Sequence, residues 1–419
     1  MGDVQLFDIE TLKSPHAAHK RLRDEAPVYF AQELGLHVVT RYDLLREALR
    51  DPETYSNRFG DFLQEPQRRR FEAASPETRE AILAIADQLV FEPPTMLTLD
   101  RPEHTHFRTL VNELFTGSRI KRAESAVQQV IDDTVNAFAG ATAIEFIARF
   151  AMPVPLKIIG DRLGVPEADR ERFDRCASNA ADSLRLNVYD DREMVRRMQL
   201  ELDLQRLMLR IYDERCEAPR DDMISVLAGS RLQPEGRPLT HGEVSSILRQ
   251  FLVAGHETTS SAFGWGMLAL CERPELQEEL RARPEKVRTF VEEALRRESP
   301  VQGLPRVVTR DTELGGYSLK QGDLLMLRYG AANRDERAFD NPDEIDLDRR
   351  KAGTQMAFGS GVHHCIGAPL ARQELNLGFH TLLRRAGNFR LDPDKPAPEA
   401  EPSFVLRNLA HLHIRLDWL

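Results

Sequence analysis

Cys365 stands in Phe358-Gly359-Ser360-Gly361-Val362-His363-His364-Cys365-Ile366-Gly367, between a glycine-rich turn and a helical pattern. Gly359 and Gly361 permit backbone conformations closed to bulkier residues, and Gly367 allows close packing behind the sulfur. Leu375, Phe379 and Leu383 recur every four residues, Pro369 suits a first helical turn, and Gly387 is placed to stop the helix. The sulfur therefore precedes a helix N-terminus, whose unpaired N–H groups and dipole favour an anion. Such surroundings draw a thiol below its ordinary pKa of about 8.5 and yield thiolate. A lone thiolate could act as nucleophile, redox sensor or metal ligand; a small buried apolar filler is the reading without chemistry.

Other residues offer chemistry at suggestive spacings. His104 and Arg108 lie four apart and share a helical face, a pair of potential cations suited to a carboxylate or simply to solvent. Glu257 and Thr258 lie in Ala254-Gly255-His256-Glu257-Thr258-Thr259-Ser260-Ser261, where glycine and hydroxyls weaken a helix at its centre. Such a break in local consistency marks either function or polar packing against a neighbour. Glu293 and Arg296 can pair across one turn. His411 and His413 share a strand face, a spacing open to metal but ordinary for paired polar positions. Arg68-Arg69-Arg70 reads as a solvated face.

The elements that must position these residues are mostly helical. Thr240-His241-Gly242-Glu243 is a capping box that opens a helix running to Glu272, about 45 Å long at 1.5 Å per residue. Val244, Ile247, Leu248, Phe251 and Leu252 give it wide apolar coverage, so it should be buried. Further helices are expected at 16–24, 42–50, 109–115 and 284–298. A series between 118 and 237 should break near Gly140, Pro153, Pro155, Gly164 to Pro166 and Pro219. Strands are expected at 28–30, 37–40, 307–309 and 324–327, with Gly315-Gly316 turning between the last two and alternation around Leu412 and Ile414. Phe91 to Asp100 reads as an apolar, proline-broken loop, the kind that carries function on a rigid scaffold. No repeat, low-complexity linker or boundary divides the chain. The expectation is a mainly α protein with small β-sheets, one domain over 1–419, with 1–14 as a flexible N-terminal segment.

Phe-x-x-Gly-x-His-x-Cys-x-Gly resembles the proximal haem loop of the cytochrome P450 family. The likeness continues through Pro-Glu-His-Thr-x-x-Arg at 102–108, Ala-Gly-x-Glu-Thr at 254–258 and Glu-x-x-Arg at 293–296, in the family's order. It implies the single-domain P450 fold, haem b as cofactor and Cys365 as the axial iron ligand, with Phe358 packed beside the sulfur and Gly359 and Gly367 shaping the loop. It further implies that His104, Arg108, Arg306 and His363 meet haem propionates. Glu257 and Thr258 would relay protons to bound dioxygen, with Ala254 and Gly255 leaving room for it. The Glu293–Arg296 pair usually takes a third, arginine partner. Glu344 and Ile345 depart from the family's pattern there, leaving Arg349 or Arg350 as candidates.

Counting back from Thr258, Ala254, Gln250 and Ile247 fall on one face. An unpaired Gln250 amide there would seek a substrate oxygen or a water. Phe91, Met96, Leu97, Val301, Leu304 and Leu406 would supply apolar walls. The implied activity is insertion of one oxygen atom of O2 into a small, mostly apolar organic substrate. Electrons would come from a separate ferredoxin-type donor with an NAD(P)H-dependent reductase, since no dinucleotide fingerprint or cysteine cluster suggests a fused flavin or Fe–S domain. Arg119, Lys121, Arg122 and Arg372 are docking candidates. A peroxide-driven peroxygenase and a non-catalytic haem-thiolate sensor are the rival readings.

Composition agrees with that class. Across 419 residues, 57 Lys and Arg against 67 Asp and Glu leave a formal charge of −10, which argues against nonspecific nucleic-acid binding. Cys176, Cys216, Cys271 and Cys365 lie far apart, as in a reducing compartment. Neither a signal-like start nor an apolar run near 20 residues is present, so the expected location is cytoplasmic, away from membrane.

Overall fold

The computed structural model describes residues 4–180 and 189–419. Residues 1–3 of the expected flexible start and 181–188 of the expected helical series lie outside the described residues. In chain order the helices are α1 (Ile9–Lys13), α2 (His16–Glu25), α3 (Tyr42–Arg50), α4 (Gly60–Ala73), α5 (Pro76–Ala86), α6 (Glu103–Asn112), α7 (Gly117–Asn136) and α8 (Pro153–Leu163). They continue with α9 (Arg170–Ala180), α10 (Asp191–Glu217), α11 (Met223–Gly229), α12 (His241–Glu272), α13 (Pro274–Ala282), α14 (Val287–Glu298), α15 (Tyr329–Ala332) and α16 (Ala368–Arg385). The strands are β1 (Val28–Ala31), β2 (Leu36–Val39), β3 (Tyr55–Ser56), β4 (Ala143–Glu145), β5 (Leu304–Val308), β6 (Thr312–Leu314), β7 (Tyr317–Leu319), β8 (Leu324–Leu327), β9 (Ala386–Leu391) and β10 (His413–Trp418).

Two compact units divide the chain. One comprises Met1–Ser56, Gly117–Pro155 and Glu257–Leu419, the other Asn57–Thr116 and Leu156–His256. All named strands belong to the first unit. Its larger sheet has the order β1-β2-β8-β5-β3, antiparallel except where β2 meets β8. Val39, Leu45, Leu314, Leu325, Leu327 and Tyr329 form the core beneath it. The smaller sheets are β4-β10-β9 and the hairpin β6-β7. In the second unit the described residues are helical or irregular, apart from one isolated bridge between Leu232 and Arg237.

Helix α12 begins where the capping box predicts. The Thr240 N–H donates to Glu243 Oε2 at 2.8 Å, and the Glu243 N–H donates back to Thr240 Oγ1 at 3.3 Å. Val244, Ile247, Leu248 and Leu252 are buried as their spacing requires. Helix α16 likewise buries Leu375, Phe379 and Leu383.

Several expectations need correction. Gly387 does not stop α16: the chain leaves the helix at Ala386, whose extended backbone starts β9 and pairs with β10. Gly315 and Gly316, both at positive φ, turn the small β6-β7 hairpin rather than joining β5 directly to β8. Residues 4–14 are not loose, since Leu6 and Leu12 are buried and the Phe7 ring lies 4.4 Å from that of Phe404. Strand β4 interrupts the stretch expected to be helical. Its pairing partner, β10, lies at the far end of the chain and leaves no local trace in sequence.

Candidate functional site

In the first unit, the Cys365 loop is closed on itself. The Cys365 N–H donates to the Phe358 carbonyl at 2.9 Å, and the His364 N–H to that of Gly361 at 3.1 Å. Gly361, at φ +73°, is required twice over, because a Cβ there would sit 2.4 Å from the Leu49 carbonyl oxygen. Behind the loop, the Met356 N–H donates to Asn333 Oδ1 at 2.7 Å, and the Arg372 guanidinium lies 4.5 Å from the centre of the Phe358 ring. Arg372 is itself held by Glu292 at 2.5 and 3.0 Å, so it serves the loop's support rather than an open docking surface. A Cβ on Gly367 would come 3.9 Å from the Cys365 sulfur. Gly367 caps α16, which places the sulfur two residues ahead of a helix N-terminus. The loop is half-buried, with its thiol partly accessible. By contrast, burial pushes the Cys271 thiol up to about 12 and raises that of Cys176, which keeps both protonated.

Arg306 is 3% exposed on β5, in the interior of the larger sheet. Its side chain donates to the Pro305 carbonyl at 2.6 Å, and among the described residues no carboxylate lies within ion-pair distance. A nearly buried guanidinium without a counter-ion suits an anionic ligand group. His363 ends the short 3-10 turn Gly361–His363. Glu257, 3% exposed, accepts at Oε2 from Asn408 Nδ2 at 3.0 Å, and Thr258 follows it half-exposed. Asn408 lies in irregular chain before β10, where no periodicity could have singled it out. Val301 and Leu406 form an isolated bridge, and Val301 and Leu304 pack against the core of the larger sheet.

The buried pair is present with its third partner. Arg296 donates to Glu293 at 2.8 and 3.0 Å, Arg349 lies 2.9 Å from the same carboxylate, and both pair members are fully buried. Arg296 also donates to the carbonyls of Asn333, Pro342 and Glu344 at 2.9, 2.6 and 2.8 Å. Burial alone would raise the Glu293 carboxyl, but these cations and the Asp346 N–H hold it below the usual range. Removing one partner of such a pair would cost about 3–5 kcal/mol. His411 and His413 stack with ring centres 6.0 Å apart, and no metal-binding cluster occurs among the described residues.

In the second unit, His104 is 3% exposed on α6 with Arg108 one turn on. Burial, then the charges of Arg108 and Arg101, lower its pKa to about 4, so the ring is a neutral donor at pH 7. At the centre of α12, Ala254 is exposed and Val253 and Gly255 half-exposed, although Ile247 and Leu252 before them are buried.

The loop before α6 is fastened by Gln250 and by Gln205, Ser245 and Arg249, which the sequence did not single out. Gln205 of α10 accepts from the Val90 N–H at 2.7 Å, and donates to the Val90 carbonyl at 2.9 Å and to Glu92 at 3.2 Å. Ser245 donates to Glu92 at 2.6 Å, and Arg249 bridges Glu92 and Glu201 at 3.4 and 2.7 Å. Gln250 accepts from the Leu97 N–H at 3.2 Å and donates to Thr95 Oγ1 and to Ser246. Its amide is therefore satisfied by protein, and the expectation of an unmet amide awaiting a substrate oxygen is overturned. Phe91, 80% exposed, turns outward instead of forming a wall, whereas Met96 is buried and Leu97 half-buried.

Comparison with known proteins adds the following. The family model described as Cytochrome P450 matches residues 9–414. A putative cytochrome P450, YjiB of Bacillus subtilis, is 32% identical over 372 residues, covering 88% of this chain and 86% of that protein. The structure of cytochrome P450 CYP109Q5 from Chondromyces apiculatus superposes with a TM-score of 0.84 at 29% identity, covering 99% of this chain and 98% of that one. CYP109E1 from Bacillus megaterium in complex with corticosterone superposes at 0.82 with 27% identity, covering 97% and 99%.

Proposed function

The chain belongs to the cytochrome P450 family, and from that premise we propose that Cys365 is the thiolate ligand of its haem iron. The protein is a haem monooxygenase that uses O2, an organic substrate and electrons from redox partners. No helix among the described residues is long and apolar enough to cross a membrane. The observation that carries the assignment of Cys365 is its loop, locked by the 2.9 Å bond to Phe358 and set before the N-terminus of α16. The buried thiols of Cys176 and Cys271 lack any such setting.

The residues present suit a haem: in the first unit the Cys365 thiol and the buried Arg306, which has no carboxylate within ion-pair distance among the described residues, and in the second the buried, neutral ring of His104. When bound, the haem supplies the oxygen-activating chemistry and the protein its orientation and electrostatics. Arg306, His104, Arg108 and His363 would hold the haem propionates, as cations or neutral N–H donors. Phe358 and Gly367 shape the space about the sulfur. Ala254 and Gly255 keep the centre of α12 free of bulk. Glu257 would serve as the acid that holds and passes on a proton, and the Thr258 hydroxyl as the hydrogen-bonding group beside it. Met96, Leu97, Ile247, Val301, Leu304 and Leu406 exclude water from an apolar substrate. The steroid bound to the related CYP109E1 supports a substrate of that mostly apolar class.

The 419 residues work as one haem-thiolate domain in the cytoplasm, with a ferredoxin-type donor and its NAD(P)H-dependent reductase. Arg119, Lys121 and Arg122 on the first turns of α7 are the docking cations, each without an ion pair among the described residues. Gln373 ties this segment to α16 by donating to the Ile120 carbonyl at 3.0 Å.

Replacing Cys365 by Ser should abolish the red-shifted, thiolate-type Soret band of the reduced carbon monoxide complex. Substitution at Cys176, Cys216 or Cys271 should leave it, and survival of the band in Cys365→Ser would overturn the assignment. Turnover with NADH, a surrogate ferredoxin system and O2, compared with hydrogen peroxide alone, separates the monooxygenase from a peroxide-driven enzyme. Thr258→Ala should retain the substrate-induced spin shift yet divert electrons to peroxide.

A further inference from the structure

We propose that Asn408 is the positioning residue of Glu257 and holds its carboxyl in both protonation states; the proposal rests on reading Glu257 as a proton-relay acid. Glu257, Ser261 and Trp265 recur every four residues and form one stripe of α12. All three reach a single dipeptide. Ser261 Oγ and Trp265 Nε1, the latter at 2.8 Å, donate to the Arg407 carbonyl, and Asn408 Nδ2 donates to Glu257 Oε2 at 3.0 Å.

The dipeptide is fixed from other sides too. The Arg407 guanidinium lies 4.4 Å from the centre of the Trp265 ring and donates to Glu298 at 2.7 Å. The Arg407 N–H donates to the Pro300 carbonyl at 3.0 Å, and the Asn408 carbonyl accepts from the Glu401 N–H at 2.9 Å. The backbone is thus anchored while the amide is only half used. Its Oδ1 is closed to solvent, and among the described residues no donor reaches it. A buried acceptor left unmet is costly, which argues for a donor that arrives during function.

Protonated Glu257 is such a donor. An asparagine carries a donor and an acceptor on one plane. Ionised Glu257 would accept from Nδ2, and the observed 3.0 Å contact between Nδ2 and Oε2 has that direction. When the carboxyl takes a proton on Oε2, its new O–H becomes a donor. Half a turn of the amide about its terminal torsion then presents Oδ1 to receive it. The carboxyl gains one proton, no covalent bond of Asn408 changes, and the hydrogen bond reverses direction. Asn408 has no proton of its own to relay, so its part is to keep Glu257 in one orientation through the cycle. Leucine would hold neither state, and aspartate would repel the ionised one.

Infrared spectra of the resting holoprotein carrying carbon-13 glutamate test this directly. The Glu257 carboxylate band, assigned by its loss in Glu257→Gln, should shift to higher frequency in Asn408→Leu as the donor is lost. Product formed per NADH should fall roughly tenfold, the scale of losing a hydrogen bond to a charged group, with the substrate-induced spin shift unchanged. Asn408→Leu should add no further loss to Glu257→Gln. Should the leucine variant fail to fold, Asn408→Ala carries the same test, since it too removes the donor without adding a charge. An unshifted band, or an equal loss on top of Glu257→Gln, would overturn the proposal. If Glu257→Gln alone leaves coupling intact, the relay reading of Glu257 fails instead, and the band shift still decides whether Asn408 holds the carboxyl.

Discussion

Glu374 is the residue with most to reveal about the helix that follows the Cys365 loop. It is 3% exposed on α16, and among the described residues no partner reaches its Oε2. Burial raises its pKa well above the ordinary 4.5, so the folded protein holds it as the neutral acid. The folded state therefore binds more protons above pH 4.5 than the unfolded chain, and stability falls as pH rises through that region. Glu374→Gln should accordingly raise the melting temperature at pH 8 and change it little at pH 5. An equal effect at both values would mean that the carboxyl does not titrate with folding. At this scale the sequence was most informative where motif and backbone requirement coincide, as at Gly361 and Cys365. It was silent on Asn408, whose importance lies in a contact across about 150 residues rather than in any spacing.

The elements themselves were legible where periodicity is strong, as in α3, and where a capping box joins it, as in α12, and both fall where they were expected. The failures share a cause. Strand β4 and the end of α16 are both fixed by pairing with β10, and pairing across such separations has no local signature. Gln250 shows the same limit: helical spacing gave its face, but only the fold shows that loop 95–97 already satisfies its amide. Gln250→Leu should therefore weaken an oxygenated substrate and its hydrocarbon analogue alike, by loosening the loop for both. Gln205→Leu should strip both backbone partners from Val90, at a cost of about 1–3 kcal/mol for the buried polar groups left unmet. Amide exchange at 90–97 should then quicken roughly 10- to 100-fold while global melting moves little. Unchanged exchange there would show that Gln205 is not what fastens the loop.

For the molecule as a whole, the N-terminal helices are tied into the first unit by buried charge. His19 is 2% exposed, and burial, then Arg328, His16 and other cations, hold its pKa well below 6.5. The unfolded chain takes up a proton at His19 near pH 6.5 that the folded one refuses, so stability falls as pH drops below that value. Burial would raise the Glu298 carboxyl, but Arg407 and Arg334 bring it down to about 2, so its loss of stability adds only below about pH 4.5. Between pH 7.5 and 5, His19→Gln should lessen the loss of melting temperature on acidification relative to the parent, with His16 and His104 keeping their own share, and an unchanged difference would remove His19 as a source. The sequence offered one domain without a visible boundary. Two interleaved units could not be read from it, because neither is a continuous stretch.

That interleaving has a consequence for how the protein is made. The first unit needs residues on both sides of the second, and β10 supplies the partner for both β4 and β9. On the ribosome, at about 5–20 residues per second, the opening segment must wait on the order of tens of seconds for that strand. Until it emerges, the edges of β4 and β9 that it pairs stay open to whatever else is in the cell. A nascent chain halted before residue 413 should be a client for chaperones, and its last six-residue strand is the stroke that closes the molecule.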